Sequence, residues 1–306
     1  MKEMAMYEFE ATPEPVSDIH PEIDAEEEGG AARYTAVVLA GSRSNSDPVA
    51  SAFGSRHKAL VPICGTPMIA RVVKALRGAQ SVKRIVIVFD DEQELFEACP
   101  QFQSNECDTR VDVVPCSGSI CGSVASALDA CGEEWPFLVT TADHALLTST
   151  MVDRFCFGVN QGAKLAVGFV ERKYIDAAHP GSKRTYLPFR ETQLSGANLF
   201  AFTDEGALPV LDFWRQIEMK RKKPWQLFRA FGYRNLFGLL MKRFTVDEAF
   251  ERASKVLGVK ACAVRLPFAE AAIDVDTPKD YEQVTQILEG RISGTVQPEN
   301  PLQPVA

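Results

Sequence analysis

From Tyr34 onward the sequence alternates short β-branched runs with stretches of helical spacing, and that alternation restricts the chain to a parallel sheet covered by helices. Tyr34–Ala40 reads as the first strand, Met68–Gly78 as a helix, Arg84–Phe89 as a strand, Glu92–Ala98 as a helix and Arg110–Pro115 as a strand. Ser119–Cys131 follows as a helix with small residues on one face, Phe137–Thr141 as a buried strand, and Thr148–Phe157 as a helix entered through a good N-cap residue. Past Lys164 the pattern changes. Leu165–Val170, Thr185–Phe189 and Ala197–Phe202 succeed one another as strands without intervening helices, so antiparallel pairing is expected there. A helical block from Glu205 to Leu257, a strand over Lys260–Leu266 and a helix over Pro278–Leu288, with Pro near its first turn, complete the chain. The expected class is α/β and Rossmann-like: a mostly parallel central sheet with helices on both faces, a mixed or antiparallel second half, and a helical insertion.

The net charge of −8 belongs to one end of the chain. Residues 1–32 hold ten acids against a single base, Lys2, whereas 32 bases face 31 acids in the remainder. Such a Pro- and Glu-rich segment lacks the apolar periodicity that offsets the entropy of ordering, so residues 1–32 read as a disordered tail and 291–306 as a second. The body, 33–290, is expected to fold as a single domain, with a basic helical segment over 205–257. No window of about 18 apolar residues occurs and the start lacks the layout of a secretion signal, so the cytoplasm is the expected location. Eight cysteines without a C-x-x-C pair read as reduced thiols, Cys116 and Cys121 included, and the four histidines form no zinc spacing.

Three stretches carry chemistry. The first strand runs into Leu39-Ala40-Gly41-Ser42-Arg43, then a polar loop, then His57-Lys58-Ala59-Leu60. A loop at the carboxyl end of such a strand is the usual ligand crevice, and Gly41 permits backbone N–H groups to approach phosphate oxygens. Arg43 and Lys58 then neutralise the phosphates. The spacing matches neither a P-loop nor a dinucleotide fingerprint. Phe137–Thr141 runs into Ala142-Asp143-His144: an acid beside apolar residues at a buried strand end needs a partner, and a hard cation is the natural one. The structural alternative is a helix cap, for which Thr148 is better placed. Near the end, in Asp274-Val275-Asp276-Thr277-Pro278, either acid could converge with Asp143, or Asp276 or Thr277 could merely cap the last helix.

With Phe53 to Leu60, Gly65-Thr66-Pro67-Met68 and Ser195-Gly196-Ala197-Asn198, these pieces stand in family order across roughly residues 34–290, and the chain resembles the MobA-like NTP-transferase family, which has a glycosyltransferase-A-like, Rossmann-type fold. The resemblance implies that Leu39, Ala40, Gly41, Ser42, Arg43 and Lys58 hold the NTP phosphates. It implies further that Ser117, Gly118, Ser119, Gly122 and Ser123 lie against the base, and that Asp143 and Asp276 bind Mg²⁺. Ser195, Gly196 and Asn198 face the acceptor, with Lys183 or Arg184 meeting its phosphate. One departure is a longer loop between Gly41 and Lys58, with one Gly where many members have two, which leaves Arg43 and Arg56 as rivals for the family arginine.

An acceptor phosphate oxygen is already an anion at neutral pH, so positioning and charge neutralisation dominate such a transfer, with Lys58, Arg43 and Asp143 as the catalytic candidates. CTP and GTP both fit, with a lean to CTP. The rivals are a glycosyltransferase of the same fold using a nucleotide-sugar, which usually places two acids together after the fourth strand, and a non-catalytic nucleotide-binding protein. Residues 213–244 hold nine bases against one acid, Glu218, interleaved with aromatics. They form either ordinary core with a solvated basic face or a peripheral contact with an anionic membrane; nucleic acid is not expected as a partner.

Overall fold

Strand β1 (Tyr34–Leu39) is buried along nearly its whole length, as a strand covered on both faces must be. The computed structural model describes residues 32–41, 47–103, 109–132, 134–219, 238 and 241–294, and the elements below all belong to the unit Ala32–Ala306. Among the described residues, β1 joins β4 (Val82–Val88), β5 (Arg110–Val114), β6 (Phe137–Thr141), β7 (Leu165–Glu171), β8 (Leu187–Pro188), β9 (Gln193–Phe202) and β10 (Ala261–Leu266) in a sheet of eight strands. The order is β10-β7-β9-β6-β1-β4-β5, with β8 beside β9. β1 runs parallel to β4 and β6, β4 to β5, and β10 to β7; β9 is antiparallel to β6, β7 and β8. The short strands β2 (Pro62–Ile63) and β3 (Thr66–Pro67) form a separate hairpin.

Alternation along β1 sends Ala36 and Val38 to one face and Val37 to the other. The first face is covered by α2 (Met68–Arg77), through Val72 and Leu76, and by α5 (Ser149–Phe157), through Val152 and Phe155. Each such fully buried side chain contributes about 1.5–3 kcal/mol of apolar transfer. The second face is covered by α4 (Ile120–Cys131), through Val124 and Leu128, and by α7 (Leu208–Met219), through Val210 and Leu211. Four further helices are α1 (Pro48–Ala52), α3 (Glu92–Ala98), α6 (Arg172–Ala178) and α8 (Val246–Leu257), and α9 (Pro278–Ile292) closes the described chain. The class is therefore the mostly parallel α/β fold with helices on both faces.

Several expectations are corrected. A helix, α6, stands between β7 and β8 where strands alone were expected; Ile175 is its one buried residue, so it carries no amphipathic repeat to read. The strand expected over Thr185–Phe189 shrinks to Leu187–Pro188, and the Phe189 N–H instead donates to the Thr192 carbonyl at 2.8 Å in the turn to β9. The helical block over 205–257 resolves into α7 and α8, while 220–237 and 239–240, the greater part of the basic segment, lie outside the described residues. So do residues 1–31 and 295–306 of the two expected tails. Helix α9, however, continues through Arg291 and Ile292 into the second of them, with Arg291 ion-paired to the buried Glu270. No helix among the described residues is long and apolar enough to cross a membrane.

Candidate active site

The carboxyl ends of β5, β4, β1 and β6 lie side by side on one edge of the sheet, with Leu39 opposite both Val88 and Thr141. As the chain leaves β1, the Ala40 N–H donates to the Val88 carbonyl at 3.0 Å, and the Ala142 N–H donates to the Leu39 carbonyl at 3.0 Å. Gly41 and Asp143 consequently emerge as neighbours in the crevice where open α/β sheets bind ligands. Gly41 is required here by close packing: a Cβ on it would stand 2.2 Å from the Sγ of Cys116, which leaves β5 alongside. Gly41→Ala should therefore destabilise the fold by about 1–3 kcal/mol, and Cys116→Ala should relieve much of that penalty in the double variant. Urea unfolding of the four proteins in that cycle measures it. Additive losses would show that Cys116 is not what Gly41 accommodates.

Lys58 opens a short 3₁₀ turn anchored by the buried Ala59 and Val61, which fixes the direction of its side chain. Its Nζ donates to Asp143 Oδ2 at 2.6 Å and to Asp276 Oδ1 at 3.0 Å. Residues separated by 218 positions thus meet at one point. Burial pulls the Lys58 ammonium towards neutrality, but the two carboxylates more than offset it and hold its pKa above the ordinary value. Burial likewise pushes the Asp143 carboxyl up, and the Lys58 charge reverses this, leaving it below the usual carboxylate range. Neither acid caps a helix. Thr148 caps α5, and Thr277 caps α9 in a reciprocal capping box with Asp280.

Asp274 is raised instead, by burial first and then by the nearby charges of Asp276 and Asp143. Its oxygens face away from Lys58: Oδ1 accepts from Arg184 at 2.7 Å and Oδ2 from Asn198 at 3.1 Å. Arg184, the alternative to Lys183 for the acceptor phosphate, has its guanidinium paired with Asp274 and Asp280, with the side chain only 7% exposed. Lys183 is exposed, as is Gly196, while Ser195 is buried within β9.

The stretch expected against the base curls over the first turn of α4. Ser117 N–H donates to Ser123 Oγ at 3.1 Å, Gly122 N–H to Ser119 Oγ at 3.0 Å, and Gly118 adopts a positive φ of 65°. A Cβ at Gly122 would meet Ser117 Oγ at 2.2 Å. Sequence reasoning missed Glu218 on α7, whose carboxylate accepts the N–H groups of Ile120 at 3.1 Å and Cys121 at 3.3 Å. The sequence marks it only as the one acid of a basic stretch, and its role stays hidden because its partners are distant in the chain. Cys121 and Cys116 are pushed up to about 12, by burial first and then by Glu218 and Asp90 respectively, so both remain thiols. Ser42 and Arg43 lie outside the described residues; Arg56 is exposed and pairs with Asp91 and Glu94 at the start of α3. A surface depression lined by Glu92, Gln93, Phe96, Glu97 and Gln103 lies on α3, and its two carboxylates suit no anionic nucleotide.

His144, next to Asp143, is 1% exposed. Burial pushes its pKa down from 6.5 to about 4, against an opposing pull from Asp143. The unfolded chain therefore takes up a proton below about pH 6.5 that the native state refuses until about pH 4. Native stability should fall by about 3 kcal/mol across that window from this group. Thermal unfolding as a function of pH tests this: His144→Gln should flatten the slope between pH 6.5 and 4, and an unchanged slope would contradict it.

The sequence model of the MobA-like NTP transferase domain matches residues 36–201. A hypothetical transferase from Thermus thermophilus is 30% identical, superposes with a TM-score of 0.69, and the match covers 81% of this chain and 99% of that one. The chain belongs to the MobA-like NTP transferase family. Two more distant solved structures share the fold. CMP:2-keto-3-deoxy-manno-octonic acid synthetase complexed with CTP is 15% identical with a TM-score of 0.54, over 85% of this chain and 100% of that one. The 4-diphosphocytidyl-2C-methyl-D-erythritol synthase of Anaerococcus prevotii is 9% identical with a TM-score of 0.53, over 85% and 99%.

Proposed function

We propose that this chain transfers a nucleotidyl group from an NTP to a phosphorylated small-molecule or lipid-precursor acceptor and releases pyrophosphate. The observation that carries the reading is the meeting of Lys58, Asp143 and Asp276 at the crevice edge. Among the described residues no three His, Cys, Asp or Glu side chains converge as a complete metal cage. Mg²⁺ seldom requires one, since it is commonly held by one or two carboxylates together with substrate phosphates and water. Asp143 and Asp276 fit that donor set, and the Lys58 ammonium between them already occupies a place suited to positive charge. Bound there, Mg²⁺ supplies charge neutralisation at the α-phosphate.

The chain's own residues perform the remaining work. Lys58, drawn from the carboxylates to the incoming triphosphate, neutralises charge on the departing pyrophosphate, with Arg43 as its proposed companion. The backbone at Gly41, held in place by Leu39 and Ala40 within the sheet, cradles phosphate oxygens, and Ser117, Gly118, Ser119, Gly122 and Ser123 bound the base. Gly196 and Lys183, both exposed, face the acceptor, and Ser195 and Asn198 support that side from within β9. An acceptor phosphate oxygen then attacks the α-phosphorus; the new P–O bond forms as the bond to the pyrophosphate oxygen breaks, and no proton transfer is needed.

In this reading 33–290 is the catalytic domain, with 205–257 as its insertion, working in the cytoplasm, and the basic stretch 213–244 provides the peripheral membrane contact if the acceptor is lipid-linked. CTP stands first and GTP second. Incubating the protein with each of the four NTPs, Mg²⁺ and a panel of phosphorylated alcohols should release pyrophosphate with one NTP and only when an acceptor is present. Consumption of a nucleotide-sugar in place of an NTP would favour a glycosyltransferase.

A further inference from the structure

The arm that carries Asp276 is held on both sides by one guanidinium. Arg184 donates to Asp274 Oδ1 through Nη1 and to Asp280 Oδ1 through Nη2, each at 2.7 Å, and its side chain is 7% exposed. Asp274 lies two residues before Asp276. Asp280 is the residue whose other oxygen, Oδ2, accepts the N–H and hydroxyl of Thr277, immediately after Asp276. The planar fork of arginine suits such a bridge between two carboxylates, which an ammonium cannot span in the same way.

A second element converges on the same arm. The pairing of β7 with β9 steps from Val167↔Phe200 to Phe169↔Gly196, so β9 bulges around Asn198. Asn198 itself has a φ of 48°, a conformation that asparagine tolerates better than most residues. Bulges of this kind re-aim a side chain beside a site, and this one directs Asn198 Nδ2 onto Asp274 Oδ2 at 3.1 Å. Between these holds, the Val275 N–H donates to the Asp143 carbonyl at 3.1 Å, and the Val275 side chain is fully buried. The backbone is thereby fixed with Asp274 turned to Arg184 and Asn198, and Asp276 turned to Lys58.

We propose that Arg184, Asn198 and Asp274 form a positioning network that presents Asp276, and not Asp274, to a divalent cation shared with Asp143. Arg184 acts through Asp274 and does not contact the acceptor phosphate. The inference rests on the metal reading under Proposed function. Groups that orient metal ligands typically change metal affinity or activity by about 10-fold to 100-fold when removed.

The test uses the full chain and Mn²⁺ alone, titrated by the loss of the free-ion electron paramagnetic resonance signal. Asp276→Asn should weaken Mn²⁺ binding strongly. Arg184→Met should weaken it by about 10-fold, Arg184→Lys should restore it in part, and in turnover Arg184→Met should lower kcat while leaving the acceptor KM unchanged. Should Arg184→Met fail to unfold cooperatively, Asn198→Gly carries the Mn²⁺ test, since glycine keeps the positive φ and removes the carboxamide that holds Asp274. Loss of binding in Asp276→Asn with none in Arg184→Met or Asn198→Gly overturns the positioning role alone. A raised acceptor KM with Mn²⁺ binding unchanged restores Arg184 to the acceptor. Unchanged Mn²⁺ binding in Asp276→Asn overturns the metal reading and the network with it.

Discussion

Asp143→Ala should abolish turnover, with a loss of about 10²-fold or more, and leave the fold intact. Both halves of the expectation follow from where the residue stands. Its carboxylate lies at the end of β6 and bonds Lys58 at 2.6 Å, whereas the interaction that docks the Asp274–Asp276 arm uses the Asp143 carbonyl, which alanine retains. Removing the carboxylate also takes one charge from a crowd in which Asp274 is already pushed above its ordinary value. Steady-state rates paired with thermal unfolding measure the two effects separately. Near wild-type turnover with Mg²⁺ would remove Asp143 from the metal site.

Lys58→Ala should weaken NTP binding and slow turnover together, by about 10-fold in each parameter, because an ammonium that touches phosphates in both ground and transition states contributes to both. The geometry adds a consequence of opposite sign. The Lys58 ammonium lies between Asp143 and Asp276, so it competes with a divalent cation for the same oxygens. Lys58→Ala should accordingly bind Mn²⁺ more tightly than the wild type without nucleotide, while binding NTP more weakly. A variant with unchanged kinetic constants would show Lys58 to be a structural partner of the two acids.

What the sequence makes legible and what it hides divide along a physical line. Parallel strands buried on both faces must be continuous apolar runs, so β1 and β6 are visible at once. The α5 cap is visible because Thr148 acts on its own helix. Helix α6 is not, since a two-turn helix with only Ile175 buried leaves no periodic trace. Lys58, Asp143 and the Asp274–Asp276 arm could be picked out as chemistry-bearing by residue type and position. Which of the two acids turns to Lys58 could not, because the choice is made by Arg184, 90 residues away, and by a bulge in β9. Glu218 at the start of α4 is hidden for the same reason, being 98 residues from Ile120. Gly41 was legible as a residue that must be small; that its missing Cβ also makes room for Cys116, 75 positions on and brought alongside by β5, was not.

In the proposed reaction an acceptor phosphate attacks the α-phosphorus of an NTP, and phosphorus NMR of the reaction mixture reads which bond breaks. With the competent NTP, a phosphorylated acceptor and Mg²⁺, pyrophosphate and a new phosphoanhydride joining nucleoside and acceptor should appear in equal amounts, and both should be absent with Asp143→Ala. Formation of nucleoside diphosphate with inorganic phosphate, or no change in any NTP across the acceptor panel, would contradict it.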